Sequence, residues 1–336
     1  MARAPEGSAA RRARRRRQRR RRTVHLLGGV ALAVLLVATA VTLGGRILGH
    51  DDRADEVSSS QSRSGPPATP PAPTTTTTLV ASPELIEPPR SVEATAATLT
   101  RVERAVRGDD RDPARLRVLG WEQQLAYRQL SNHSDWVPGV LAALEPDVRT
   151  WVQANLDASG ALSKLTPPQT SLPDWTILTP PAPEVLRGYY AEAEAQTGIP
   201  WAYLASIHFL ETRMGRIRGN STAGAQGPMQ FIPSSWRAYG AGGDVNDNRD
   251  AILAAGRYLS AAGGPADMGK AIYAYNHDAG YVNAVEAYAR SMLADPRAYD
   301  GYYHWQVYYR TVDGAVLLPE GYTNGGPIGA RPLPPT

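Results

Sequence analysis

"HFLETRMGRIRGNSTAGAQGPMQF", residues 208–231, decides how the rest of the chain is read. An apolar stretch with helical spacing ends in one carboxylate, Glu211, and a run of small residues then leads to Met229, Gln230 and Phe231. Just upstream, "PWAYLASIHFLE" puts Leu204, Ile207 and Glu211 on adjoining turns of one helix face, with Pro200 in the first turn. Glu211 therefore falls where an apolar face runs out into a glycine-rich loop. A lone glutamate there is either solvated at the helix end or partly buried against an apolar wall, which penalises its charged form and raises its pKa. Within the loop, Gly224, Gly227 and the small Ala225 let the backbone approach a ring closely or take φ > 0.

Helical signals continue on both sides of this stretch. "PEVLRGYYAEAEAQTG" reads as a helix ended by Gly198, and "PSSWRAYG" as a short one. Asp250 is placed to cap "AILAAGRYLSAAG", Asp267 to cap "MGKAIYAYNH" and Asp278 to cap "GYVNAVEAYARSML". Residues 184–295 are thus expected to form a nearly all-helical domain. The tail 296–336 alternates in strand fashion around Asp313-Gly314, a hairpin signal. Before the domain, residues 91–165 carry apolar positions at helical spacing, with Asp112 and Pro113 opening one helix and an interruption near Pro146. Residues 166–183 form a Pro-rich connector.

The chain has 336 residues and a formal charge of +4, but the charge is very unevenly placed. Residues 1–45 hold eleven Arg and one Glu, about +10, which leaves about −6 for the remainder. The Arg-rich tail 1–22 directly precedes an uncharged apolar run, 23–45, long enough to span a membrane as a helix. By the positive-inside rule the tail stays in the cytoplasm and everything beyond the span lies outside. The alternative is secretion after cleavage near Ala38-Thr39-Ala40. Basic residues gathered in one tail, not over a folded face, argue against a nucleic-acid partner. Residues 46–90 are polar and rich in Pro, Ser and Thr, and read as a disordered linker. There is no cysteine, which excludes thiol catalysis and Cys-ligated zinc.

Three ordered motifs then stand together: "ETRMG" (211–215), "STAGAQGPMQFIPSSW" (221–236) and "AYN" (274–276). In this combination the chain resembles the SLT-type lytic transglycosylases of the lysozyme-like superfamily, over residues 185–295, about a third of its length. The resemblance implies a lysozyme-like catalytic domain that cleaves the β-1,4 bond between N-acetylmuramic acid and N-acetylglucosamine, leaving 1,6-anhydro-muramoyl ends. It implies Glu211 as sole acid/base and no cofactor. Two carboxylates are the usual requirement of a glycosidase, and substrate-assisted families are the exception. Ser221 would hydrogen-bond near the muramoyl N-acetyl group, and Met229 and Gln230 would line the groove. The Tyr275 hydroxyl would point at the catalytic carboxylate, with Asn276 beside it. Gly224, Phe231 and Tyr281 complete the expected substrate contacts, with Trp236 and Tyr239 as further stacking candidates. Pro228 departs from the family, which usually has Leu there.

Each of these residues also has a plainer reading. Met229 can fill the core, Gln230 can brace its loop, and Tyr275 can be a core aromatic. Asp278, if it activates water instead of capping a helix, makes the enzyme a lysozyme-type muramidase. A third reading is a silent wall-binding or scaffold protein. "DVNDNRD" (244–250) spaces acidic and amide side chains like a calcium loop, but Arg249 replaces the glycine and Ala255 the closing Glu, so no metal is expected. The expected partners are peptidoglycan glycan strands, the cytoplasmic membrane, and cell-wall synthesis or division proteins.

Overall fold

The computed structural model describes residues 82–163, 167–324 and 331–332. The Arg-rich tail, the apolar run 23–45 and most of the linker lie outside the described residues. Among the described residues no helix is long and apolar enough to cross a membrane.

The described chain is mainly helical. Four helices come first: α1 Val92–Val106, α2 Pro113–Asn132, α3 Val137–Ala143 and α4 Pro146–Ser163. Seven more follow: α5 Pro183–Thr197, α6 Trp201–Thr212, α7 Pro233–Tyr239, α8 Asn248–Ala262, α9 Met268–Tyr275, α10 Ala279–Ala294 and α11 Ala298–Tyr303. Local chemistry explains many of the ends. Asp112 accepts from the Arg115 amide at 2.7 Å, and Asp267 from that of Lys270 at 2.9 Å. Gly198 closes α5 at φ +74°. Two expected starts fall elsewhere. Pro200 stands just before α6 as its cap residue. Asp247, not Asp250, caps α8, because Asp250 lies one turn in and its carboxylate accepts from the Asp244 amide at 2.9 Å.

One apolar core runs from Ala96 and Leu99 in α1, through Val148 and Val152 in α4, to Leu204, Ile252, Val285 and Trp305. Helix α10 is central, packed against both α4 and α6. Buried polar contacts tie the first four helices to the C-terminal segment. Tyr127 and Gln123 donate to Glu103 at 2.5 and 2.9 Å, and Arg107 forms an ion pair with the same carboxylate. Trp305 donates to Gln123 at 2.9 Å, while Gln124 exchanges two hydrogen bonds with the Gln306 backbone. Burying Glu103 is tolerable because its oxygens are fully engaged.

The expected hairpin is β3 Val307–Thr311 against β4 Gly314–Leu318, antiparallel, with Thr311 opposite Gly314. Its loop is Val312-Asp313, and Gly314 takes φ +117° at the first position of β4. A third strand, β5 Arg331–Pro332, pairs with β4. The Pro-rich connector is sewn to the rest of the molecule. Within it, β1 Thr176–Ile177 pairs with β2 Ile217–Arg218, and Gln169 bridges to Thr311. Trp175 and Ile177 share a small second core with Val307, Tyr309, Leu318 and Tyr322.

Candidate active site

Glu211 is the penultimate residue of α6 and is partly exposed at the edge of the main core. Burial pushes its carboxyl up to about 8, against a smaller lowering by a hydrogen bond from Tyr281. Among the described residues no second carboxylate contributes to that shift. The Tyr281 hydroxyl donates to Glu211 Oε1 at 2.6 Å. Tyr281 sits in the first turn of α10, where the Asp278 carboxylate caps the helix by accepting from the Tyr281 amide at 2.9 Å.

The chain leaves α6 through three consecutive positive-φ residues, Arg213 (+54°), Met214 (+63°) and Gly215 (+85°). Two non-glycine residues in this region store strain, of order 1–3 kcal/mol each, and such strain gathers at functional sites. Thr212 fastens the turn. Its hydroxyl donates to the Pro228 carbonyl at 2.6 Å and accepts from the Gly215 amide at 3.1 Å. The glycine-rich loop is thereby tied to the residue next to Glu211.

That loop is two tight turns. In the first, Gly224 at φ +75° lets its own amide reach the Ser221 carbonyl at 2.8 Å, and Ser221 Oγ accepts from the Ala225 amide at 3.0 Å. In the second, Gln226 and Phe231 exchange backbone hydrogen bonds at 2.8 and 2.9 Å around Gly227. A Cβ on Gly227 would lie 1.8 Å from the Val245 carbonyl oxygen, so only glycine fits. Gln230 takes φ +48°, and its side chain donates to the Gly227 carbonyl at 2.9 Å.

The Tyr275 hydroxyl does not reach Glu211. It donates to the Met229 carbonyl at 2.5 Å, because Tyr275 ends α9 packed against Phe231 and Tyr258. Tyr281 makes the carboxylate contact instead. Met229, Phe231 and Tyr281, expected above among the substrate contacts, have buried side chains that support the site from behind. Ser221, Gly224, Gln230 and Tyr275 are only half-buried, and they form the accessible part of the set. Trp236 and Tyr239 are also half-buried, packed on Phe231 and Tyr258 respectively. Asn276 is 2 % exposed, and neither its Oδ1 nor its Nδ2 has a hydrogen-bond partner among the described residues.

Sequence reading gave the Tyr281 hydroxyl no role. The available signal was its place three residues after a capping Asp, which fixes the first turn of α10. His208, one turn before Glu211, also went unnoticed. It is fully buried beside the Tyr190 hydroxyl at 2.8 Å, and burial lowers its pKa to about 3, so it is a neutral packing element. Among the described residues, no group of three or more His, Asp or Glu is arranged to hold a metal ion.

Over 149 residues the chain is 27 % identical to a protein of Thiobacillus denitrificans named membrane-bound lytic murein transglycosylase F. The match covers 42 % of this chain and 31 % of that protein, so the chain spans about a third of the relative it matches. No family model matches the chain, and no solved structure does.

Proposed function

We propose that this protein is an extracytoplasmic lytic transglycosylase of peptidoglycan, anchored through residues 23–45. It cleaves the β-1,4 bond between N-acetylmuramic acid and N-acetylglucosamine, with Glu211 as its sole general acid and base. The observation that carries this reading is the state of Glu211: a half-buried carboxyl raised to about 8, at the edge of a strained glycine loop, with no second carboxylate among the described residues acting on it. The partial identity to a protein named as a murein transglycosylase supports the same class.

The chemistry follows from that protonation state. At neutral pH Glu211 keeps its proton and can give it to the glycosidic oxygen. As the C1–O bond breaks, the carbonyl oxygen of the 2-acetamido group bonds to C1 from the other face, so no second carboxylate is needed. The Glu211 carboxylate is then stabilised by the Tyr281 hydroxyl. It next takes the proton of the muramoyl C6 hydroxyl as that oxygen closes on C1 and the acetamido oxygen leaves. Atoms balance without water, and Glu211 ends protonated.

The muramidase alternative would use Asp278 to activate water. Asp278 is engaged as the cap of α10, which favours the lyase. The test is release of soluble muropeptides from purified sacculi by the wild-type chain and by Glu211→Gln. Release by the wild type alone supports the reading. Release by both proteins at equal rates rejects Glu211 as the acid.

A further inference from the structure

The Pro-rich connector takes no part in the chemistry above, yet it touches the entry to the glycine loop at one close contact. Trp175 stands in the connector just before β1, buried in the small second core and edge-on to Tyr309 with ring centroids 5.4 Å apart. The register of β1 on β2, Thr176 opposite Arg218, brings Trp175 opposite Gly219, the residue that leaves β2 for the loop. A Cβ on Gly219 would lie 2.4 Å from Trp175 Cδ1, 3.2 Å from its Nε1 and 3.3 Å from the Asp174 carbonyl oxygen. Gly219 has no positive φ, unlike Gly224 and Gly227. Its missing side chain therefore answers the indole and not the backbone conformation.

Both sides of the contact are held. On the connector side, the Ile177 amide donates to the Tyr322 carbonyl at 2.9 Å, and the Tyr322 hydroxyl donates to the Pro173 carbonyl at 3.1 Å. The indole cannot swing aside without opening a core that also contains Ile177, Val307, Leu318 and Tyr322. On the loop side, the Gln230 side-chain amide donates to the Gly227 carbonyl at 2.9 Å and, more weakly, to that of Gly219 at 3.4 Å. Gly219 is thus joined to the far end of the loop. Two residues further on, Ser221 holds the Gly224 amide on its carbonyl at 2.8 Å and the Ala225 amide on its hydroxyl at 3.0 Å. Arg218 adds a second tie, donating to the Asn246 carbonyl at 2.6 Å.

We propose that Trp175 is a positioning residue for the glycine loop, through which the connector and the C-terminal hairpin set where that loop stands. It acts through Gly219 and is not itself a catalytic residue. That the loop so placed receives a glycan strand rests on the proposed function, whereas the placement itself does not. Glu211 takes its proton chemistry from α6 and Tyr281, which Trp175 does not touch. Disturbing the indole contact should therefore weaken substrate binding and leave the acid in place.

The test uses the full chain with Gly219→Ala, with Trp175→Val and with both. The first adds a methyl group without backbone strain, and the second removes the ring atom that the methyl would meet. Amide hydrogen exchange is measured first, because it needs no substrate. Gly219→Ala should speed exchange of the Gly224 and Ala225 amides about tenfold, while the α10 amides keep their wild-type protection and so show an intact fold. In the Trp175→Val background the same methyl should make no further difference. Unchanged exchange at Gly224 and Ala225, or an equal effect in both backgrounds, overturns the proposal; if Trp175→Val does not fold, Gly219→Ala decides alone. Muropeptide release is then followed against sacculus concentration. Gly219→Ala should raise the apparent KM several-fold with kcat and the alkaline limb of the pH profile kept, and a fall in kcat at unchanged KM counts against the proposal. A wild-type chain that releases nothing refutes the lyase reading, while exchange still decides whether Trp175 places the loop.

Discussion

The Tyr281 hydroxyl stands 2.6 Å from Glu211 Oε1, joining the first turn of α10 to the last turn of α6. This bond favours the charged carboxylate and opposes the burial that raises its pKa. Removing it in Tyr281→Phe should therefore raise the Glu211 pKa further and move the alkaline limb of the pH–rate profile above pH 8. The lost stabilisation of the carboxylate formed in the first step should also cost about tenfold in rate, as expected for one hydrogen bond to a charged group. A pH profile of muropeptide release measures both. An unmoved alkaline limb would contradict this role.

Glu211 should also leave a mark on stability. Between its ordinary value of 4.5 and about 8, the folded chain keeps a proton that the unfolded chain has lost. Wild-type stability must then fall as pH rises through that window, by at most about 1.4 kcal/mol per unit from this group. Glu211→Gln removes that dependence. Urea unfolding at pH 5 and pH 8 should show the variant gaining on the wild type at the higher pH. A constant difference would mean that the carboxyl is not raised.

Gly227 and Gly224 both have positive φ, but their surroundings differ. Gly227→Ala forces a Cβ into the Val245 carbonyl and should destabilise the chain by more than ~3 kcal/mol or prevent folding. Gly224→Ala meets nothing within 4 Å and should cost only the left-handed backbone strain, about 1–2 kcal/mol. Thermal denaturation of the two variants makes the comparison, and equal losses would refute the close contact at Gly227.

Thr212→Val deletes the two hydrogen bonds that tie the end of α6 to the loop and leaves the Pro228 carbonyl and Gly215 amide unpaired. A loss of about 1–3 kcal/mol in stability is expected. Loosening the loop beside Glu211 should lower the rate as well. Denaturant unfolding and muropeptide release, measured together, check both effects.

Much of this was legible in the sequence because local chemistry set it. Asp112, Asp267 and Asp278 cap helices from positions where a capping residue precedes an apolar pattern, and Gly198 ends α5 in the left-handed conformation that glycine adopts without strain. The place of Glu211 at the limit of an apolar helix face was visible in the same way. What escaped was decided by tertiary distance. Tyr275 and Tyr281 are equally plausible partners for a carboxylate along the chain, and only the packing of Tyr275 on Phe231 and Tyr258 sends its hydroxyl to Met229. Asp247 and Asp250 are three residues apart, and the turn at Asp244 decides which one caps. The two-residue strands β1 and β2 are too short to show any alternation, so the pairing of the Pro-rich connector had no periodic signal.

The central claim is that Glu211 works alone and that a sugar hydroxyl, not water, closes on C1. Mass spectrometry of the muropeptides released from sacculi by the wild-type chain tests it most directly. Anhydro-muramoyl ends, 18 Da lighter than hydrolysed ends as the loss of one water requires (about 18 Da), are the predicted result. Reducing ends in their place would contradict the single-acid mechanism and return Asp278 to consideration as the residue that activates water.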